Sequence, residues 1–163
     1  MIERYALISG RIRQELQNLE QVVNRTEGAV DAARKRPEDQ DFYLDSAALN
    51  LHDFYAGLER VFRYIASHME QSVPIGGEWH RELLRQMNVE VPGVRPTVLS
   101  AESVRALDEY LRFRHVVRNV YTFNFDLERI ERLVSRIRDC FEGVQSDLLT
   151  FAGFVERLAT DEE

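Results

Sequence analysis

One cysteine, one lysine and four prolines are all that the 163 residues contain of these types. The lone Cys140 cannot form an internal disulfide and leaves no cysteine cluster for a metal. As a small apolar residue on a helix it reads as a core position. Lys35 is the only lysine, so 20 of the 21 basic residues are arginine. Genome composition accounts for most of that skew, although a guanidinium is also the group that best holds phosphate or carboxylate through a fork of donors. No segment approaches the roughly 20 apolar residues of a membrane span. The N-terminus opens with Glu3 and Arg4 and lacks the apolar block of a signal peptide, so a soluble, cytoplasmic protein is expected. Strand-like alternation, a glycine-rich phosphate loop, internal repeats and metal-ligand spacings are missing as well, and neither metal nor cofactor is expected. A net charge of −7 and a pI near 5.2 argue against a nucleic-acid binder that uses its whole surface. They leave room for a local basic patch.

What is present is helical periodicity from one end to the other. Hydrophobic residues at 44% and charged residues at 30% suit one soluble globular domain over 1–163. Tyr5, Ile8, Ile12, Leu16, Leu19, Val23 and Val30 share one face of a first helix. Its pattern weakens near Asn24 to Gly28, where a kink has room to form, and Pro37 ends it. A second helix runs from about Asp41 to Met69, with Leu44, Ala48, Leu51, Tyr55, Leu58, Phe62, Ile65 and Met69 alternating steps of four and three. Ala47, Phe54 and Val61 widen that seam. Glu78 to Met87 forms a short helix carrying Trp79, Leu83 and Leu84, and Pro92, Gly93 and Pro96 make an extended connection to Ser100, a good N-cap. A fourth helix spans about Ala101 to Tyr121, and Asn124 or Asp126 caps the last. There Ile130, Val134, Ile137, Phe141, Val144, Leu148, Phe151, Val155 and Leu158 keep the heptad. The predicted fold is all-α: an antiparallel four-to-five-helix bundle of four long helices and one short. Its wide apolar faces leave room for a two-fold dimer.

The stretch RFRHVVRNVYTFNFD, Arg112 to Asp126, departs from a plain amphipathic pattern. The apolar stripe of Val104, Leu107 and Leu111 continues into Arg114, Arg118 and Tyr121. A second line, Tyr110, Phe113, Val117 and Val120, anchors the helix beside it. His115 and Asn119 border the two arginines. Arginine is seldom buried without a partner, so this seam points to an interface, a cleft or a paired charge network.

FRHVVRNVYTFNFD resembles the motif region of HEPN domains, and especially of HepT-like toxins from toxin–antitoxin pairs. Their hallmark is arginine, a polar residue after it, then histidine, any residue and tyrosine, at the spacing R-x4-H-x-Y. Arg114 matches the arginine, His115 the polar residue and Tyr121 the tyrosine, while Asn119 stands at the histidine position. The LHDFYAGLERVF stretch and the WHRELL short helix resemble the same branch, so the likeness covers most of the chain. It implies a HEPN-like homodimer with two motifs facing each other across a cleft. It further implies metal-independent ribonuclease activity on RNA, with Arg114, His115 and Asn119 in the catalytic positions and Arg118 and Tyr121 on the substrate. The implied partner is a cognate nucleotidyltransferase antitoxin, which in some pairs adenylylates the tyrosine, here Tyr121.

The chemistry constrains these roles. Cleavage without a metal needs an acceptor for the 2′-hydroxyl proton, a donor for the leaving oxygen, and cations for the phosphorane charge. Arg114 and Arg118 suit the last requirement. Asn119 does not titrate and so positions groups without exchanging protons, which leaves His115 as the titratable residue of the motif. In the competing structural reading, Arg114 and Arg118 pair with carboxylates such as Glu59 or Asp126, and Tyr121 is a core aromatic. A non-catalytic HEPN-like bundle that binds a partner or nucleotide is the functional alternative, and a generic dimeric bundle a third. His52, His68 and His80 read as structural or surface residues, His80 helping to dock the short helix.

Overall fold

The computed structural model describes residues 2–121 and 126–161. Five α-helices carry the fold: α1 Ile2–Lys35, α2 Gln40–Ile65, α3 Trp79–Met87, α4 Ala101–Asn119 and α5 Leu127–Asp161. The described residues contain no strand, only an isolated bridge between Val91 and Arg95. No helix among the described residues is long and apolar enough to cross a membrane. The all-α bundle of four long helices and one short is thus as the periodicity predicts.

α1 is the central partner of both other long outer helices. It runs antiparallel to α2, with Arg60 reaching Glu15 at 3.0 Å and Arg11 lying over the ring of Tyr64 at 4.5 Å. Against α5 it is antiparallel too: Glu156 accepts from Ser9 Oγ at 2.5 Å and Arg13 Nε at 2.9 Å, while Arg138 reaches Asn24 at 2.7 Å and also Glu27. Gly57 of α2 packs directly against side chains of α1. A Cβ there would lie 2.7 Å from Glu15 Oε1 and 2.9 Å from Leu19 Cδ2, inside contact distance, so a larger residue would displace those side-chain ends.

No break interrupts α1 between Asn24 and Gly28. Thr26 occupies the core position that the apolar pattern leaves vacant. Its buried hydroxyl donates to the Val22 carbonyl at 2.7 Å, which satisfies the polar atom without leaving the helix. α2 ends four residues before Met69, in a π turn over Ala66–Glu70. Gln71 then takes a left-handed φ of 55°, and Ser72 N–H returns to the Ala66 carbonyl at 3.2 Å, closing the orphan carbonyls of the helix end.

The connection from α3 to α4 is organised by Arg95, which is 3% exposed. Its guanidinium pairs with Glu70 and donates to the carbonyls of Val89 at 2.8 Å, Pro96 at 2.9 Å and Gln86 at 3.1 Å. Gln86 adds a bond to Glu70 at 2.5 Å. Ser100 then caps α4, its Oγ accepting from Ser103 N at 3.1 Å. Asp147 of α5 gathers Ser100 N at 2.9 Å and Ser103 Oγ at 2.6 Å, which fixes the start of α4 against α5. Further along, Tyr110 Oη donates to the Leu133 carbonyl at 2.6 Å, and its ring meets Phe54 edge-on at 5.3 Å. Asp126 caps α5 by accepting from Glu128 N at 3.0 Å; Asn124 lies outside the described residues.

Arg95→Ala strands the buried Glu70 carboxylate and three carbonyls, and is expected to cost about 3–5 kcal/mol. Urea unfolding at unchanged m-value measures it, and a loss under about 1 kcal/mol would contradict the assignment. Burial on α5 pushes the Cys140 thiol from 9.0 up to about 12. The folded state therefore holds this proton more tightly than the unfolded chain. Its contribution to stability is complete below pH 9.0 and is lost as pH rises toward about 12. At pH 9, labelling of native Cys140 by a thiol reagent should be about 100-fold slower than in urea-unfolded protein.

Candidate active site

A cleft of about 730 Å³ opens between α3, the C-terminal half of α4 and the first turn of α5. Arg81, Arg112, Arg114, Arg118 and Arg129 line it, together with His80 and His115, and Glu78 is the one acidic residue among the described residues of its lining. On a chain of net charge −7 this is a local reversal of sign. Another cavity of about 710 Å³ between α4 and α5 has the opposite balance, with Glu102, Glu109, Asp139 and Asp147 against Arg105 and Arg136, and no histidine.

At the base of the cleft is a carboxylate from the second helix. Glu59 sits on the apolar face of α2 between Tyr55 and Phe62 and is 5% exposed. A buried carboxylate needs charged or hydrogen-bonded partners, and two helices supply them. His80 of α3 donates from Nδ1 to Glu59 Oε2 at 2.7 Å, and Arg114 of α4 places Nη2 3.6 Å from Oε1. The remaining ring nitrogen, His80 Nε2, lies 3.4 Å from Arg114 Nη1. The imidazole is thereby held with its proton on Nδ1 and its acceptor nitrogen toward Arg114. Trp79 packs on it, ring centroids 3.5 Å apart, with Arg63 on that indole at 4.9 Å.

A second carboxylate organises the rim. Asp108 accepts from Arg81 at 2.6 Å and from Arg112 at 2.7 Å, the latter an i,i+4 pair on α4. Arg129 lies over the Phe113 ring at 5.7 Å. Behind the cluster, Tyr55 Oη and Arg114 Nε are buried without a hydrogen-bond partner among the described residues. Burial, reinforced by the Glu59 charge, holds the Tyr55 phenol well above its ordinary pKa.

The motif residues separate into distinct environments. Arg114 is at the base, its side chain 13% exposed. Its pairing with Glu59 is the contact foreseen by the structural reading. Arg118 is exposed on the cleft wall and forms no ion pair among the described residues, with Asp126 or otherwise. His115 is exposed and lines the cleft. Asn119 turns its amide back on its own helix, donating to the His115 carbonyl at 2.7 Å and lying 3.5 Å from His115 Nδ1.

Tyr121 requires a correction. α4 stops at Asn119, Val120 is extended at φ −129° and ψ 140°, and Tyr121 lies beyond the helix, 75% exposed. It continues no buried seam and is no core aromatic. The β-branched Val120 favours extended backbone over a further helical turn. Tyr121 does interact with other residues.

Among the other histidines, His52 lies 3.6 Å from Asp53 and His68 stacks on Tyr64 at 4.0 Å, away from the cleft. His80 is a docking residue in that it ties α3 to α2, yet it is also part of the cleft wall. The signal that could have found this was Glu59, a carboxylate on an apolar stripe, because such a group must draw a donor from a neighbouring helix. The described residues hold no group of three or more His, Cys, Asp or Glu side chains placed to bind a metal.

Residues 46–155 match a family model described as HepT-like protein. The matched span covers most of α2, all of α3 and α4, and most of α5, and so contains Glu59, His80 and the motif from Arg114 to Tyr121. No curated protein and no solved structure matches the chain.

Tyr55→Phe removes a buried hydroxyl that has no partner among the described residues, so stability should hold or rise by up to about 1 kcal/mol. Thermal unfolding of the two proteins tests this, and a clear loss would show that the hydroxyl is bonded in the folded state.

Proposed function

The chain belongs to the HepT-like family, and from that premise we propose that it is the toxin half of a toxin–antitoxin module, a metal-independent ribonuclease of the cytoplasm. The observation that carries this reading is the convergence of five arginines and two histidines on one cleft of an otherwise acidic chain. Guanidinium groups pair with phosphate oxygens in bidentate fashion and strengthen as charge builds on the phosphorane. Arg118, exposed and without an ion pair among the described residues, is the cation that meets the incoming backbone. Arg114 stands deeper, beside the reacting phosphate, and His115 exchanges protons from the cleft wall. In a homodimer two such clefts face each other and hold one RNA strand between them.

The partner in this proposal is a nucleotidyltransferase antitoxin. Tyr121, outside the helix and exposed, is accessible as an acceptor. Its hydroxyl oxygen attacks the α-phosphorus of a nucleoside triphosphate, the Tyr–O–P bond forms, pyrophosphate leaves, and the phenolic proton passes to solvent. The added phosphodiester places a negative charge close to the arginines and competes with RNA for them.

A second reading, a non-catalytic HEPN-like bundle that binds a partner or nucleotide, draws support from Asn119. The residue at the motif histidine position cannot titrate, and its amide is engaged with the His115 carbonyl.

The two readings separate on expression in a bacterial host. The wild-type chain should arrest growth and Arg114→Ala should relieve the arrest, with RNA cleavage by the purified variant lowered about 100-fold. Equal arrest by both proteins, or none by either, would sink the nuclease reading. RNA binding without cleavage would establish the second.

A further inference from the structure

The Glu59–His80 pair lies outside the stretch that carries the motif, meets its Arg114, and has the geometry of a proton-transfer site. We propose that His80 of α3 is a catalytic base of the cleft, with Glu59 its positioning residue, and that this pair supplies the proton chemistry Asn119 cannot. The proposal rests on the ribonuclease reading above and names the residues through which it works.

Three observations support it. First, His80 Nδ1 is committed to Glu59 Oε2 at 2.7 Å, so the other nitrogen, Nε2, is left as the acceptor. A carboxylate that fixes the tautomer and stabilises the imidazolium once formed is the arrangement by which histidine serves as a base in hydrolytic triads. Second, Arg114 Nη1 lies 3.4 Å from Nε2, so a phosphate seated on Arg114 brings its neighbouring ribose to the same nitrogen. Third, Glu59 is buried while His80 keeps about a quarter of its side chain exposed, so the pair faces the cleft from the histidine end. By contrast, Asn119 is turned toward its own helix, and among the described residues no carboxylate pairs with His115.

The step balances without a metal or redox partner. His80 Nε2 takes the proton of the ribose 2′-hydroxyl. The 2′-oxygen forms a bond to the adjacent phosphorus, and the bond from phosphorus to the 5′-oxygen breaks. Protonated His115, on the same cleft wall, delivers its proton to the departing 5′-oxygen. The products are a 2′,3′-cyclic phosphate and a 5′-hydroxyl, with His80 now an imidazolium against Glu59. The groups that set the pH range of this step come from every neighbouring helix: Glu59 on α2, Arg81 on α3, Asp108, Arg114 and His115 on α4, and Arg129 on α5.

The test uses the purified full chain with a fluorescently labelled single-stranded RNA, in the presence of a chelator. Cleavage rate is followed from pH 5 to 9, and binding by anisotropy. His80→Ala should lower the cleavage rate by about 100-fold or more while leaving RNA affinity within about threefold, and added imidazole should restore part of the rate. Glu59→Gln, which keeps the shape of the side chain, should lower the rate and displace the limb of the pH profile that reports deprotonation of the base. His80→Gln, able to keep the bond to Glu59, guards against loss of the fold, as circular dichroism will show; it should be as inactive as His80→Ala. An active wild type with undiminished His80→Ala or His80→Gln overturns this proposal and leaves the nuclease reading intact. A wild type that binds RNA but does not cleave it overturns both. An unmoved pH profile in Glu59→Gln removes the positioning role.

Discussion

A carboxylate with almost no access to water is the constraint on which the cleft depends. Glu59 sits in the apolar face of α2, where its charge would be destabilising by several kcal/mol if left unpaired. The fold answers with His80 from α3 and Arg114 from α4, so three helices are registered on one side chain. The short α3, nine residues long, has little core of its own beyond Leu83, Leu84 and Met87. Its position follows from that polar contact at one end and from the Arg95–Glu70–Gln86 cluster at the other. The interaction that places the helix is therefore the same one that orients the histidine.

Gathering five arginines in one cleft is costly by self-repulsion, and the cleft shows how the cost is contained. Asp108 holds Arg81 and Arg112 at the rim, Glu59 holds Arg114 at the base, and Arg129 rests on the Phe113 ring. Arg118 has no such restraint among the described residues. The carboxylates restrain their cations from beneath and from the rim, so those guanidinium groups are held in place before any ligand arrives. On a chain of net charge −7, this cleft is a local concentration of positive charge.

Much of the bundle was legible because helical periodicity is a local signal. The unbroken alternation from Leu44 to Ile65 and from Ile130 to Val155 marks the buried faces of α2 and α5, and Ser100 and Asp126 do cap the helices that follow them. Pro37 ends α1 as its missing N–H requires. The expected weakness near Thr26 did not become a kink, since a buried threonine hydroxyl finds its partner one turn back. The helix end at Asn119 was also misplaced by two residues, and with it Tyr121 moved from seam to surface. The backbone turns extended at Val120, a local departure that apolar spacing does not encode.

By itself, then, the sequence determined the all-α class, the order and burial of the long helices, and the stretch in which Arg114, His115 and Arg118 would cluster. Those features follow from residues three and four apart, which share a helix face whatever the rest of the chain does. Only the tertiary structure decided that Glu59, His80 and Arg114, separated by 21 and 34 residues, form one contact, and that Asn119 faces its own helix. A buried charge recruits its partners through space, and which helix lies within reach of it is settled by packing rather than by position in the chain.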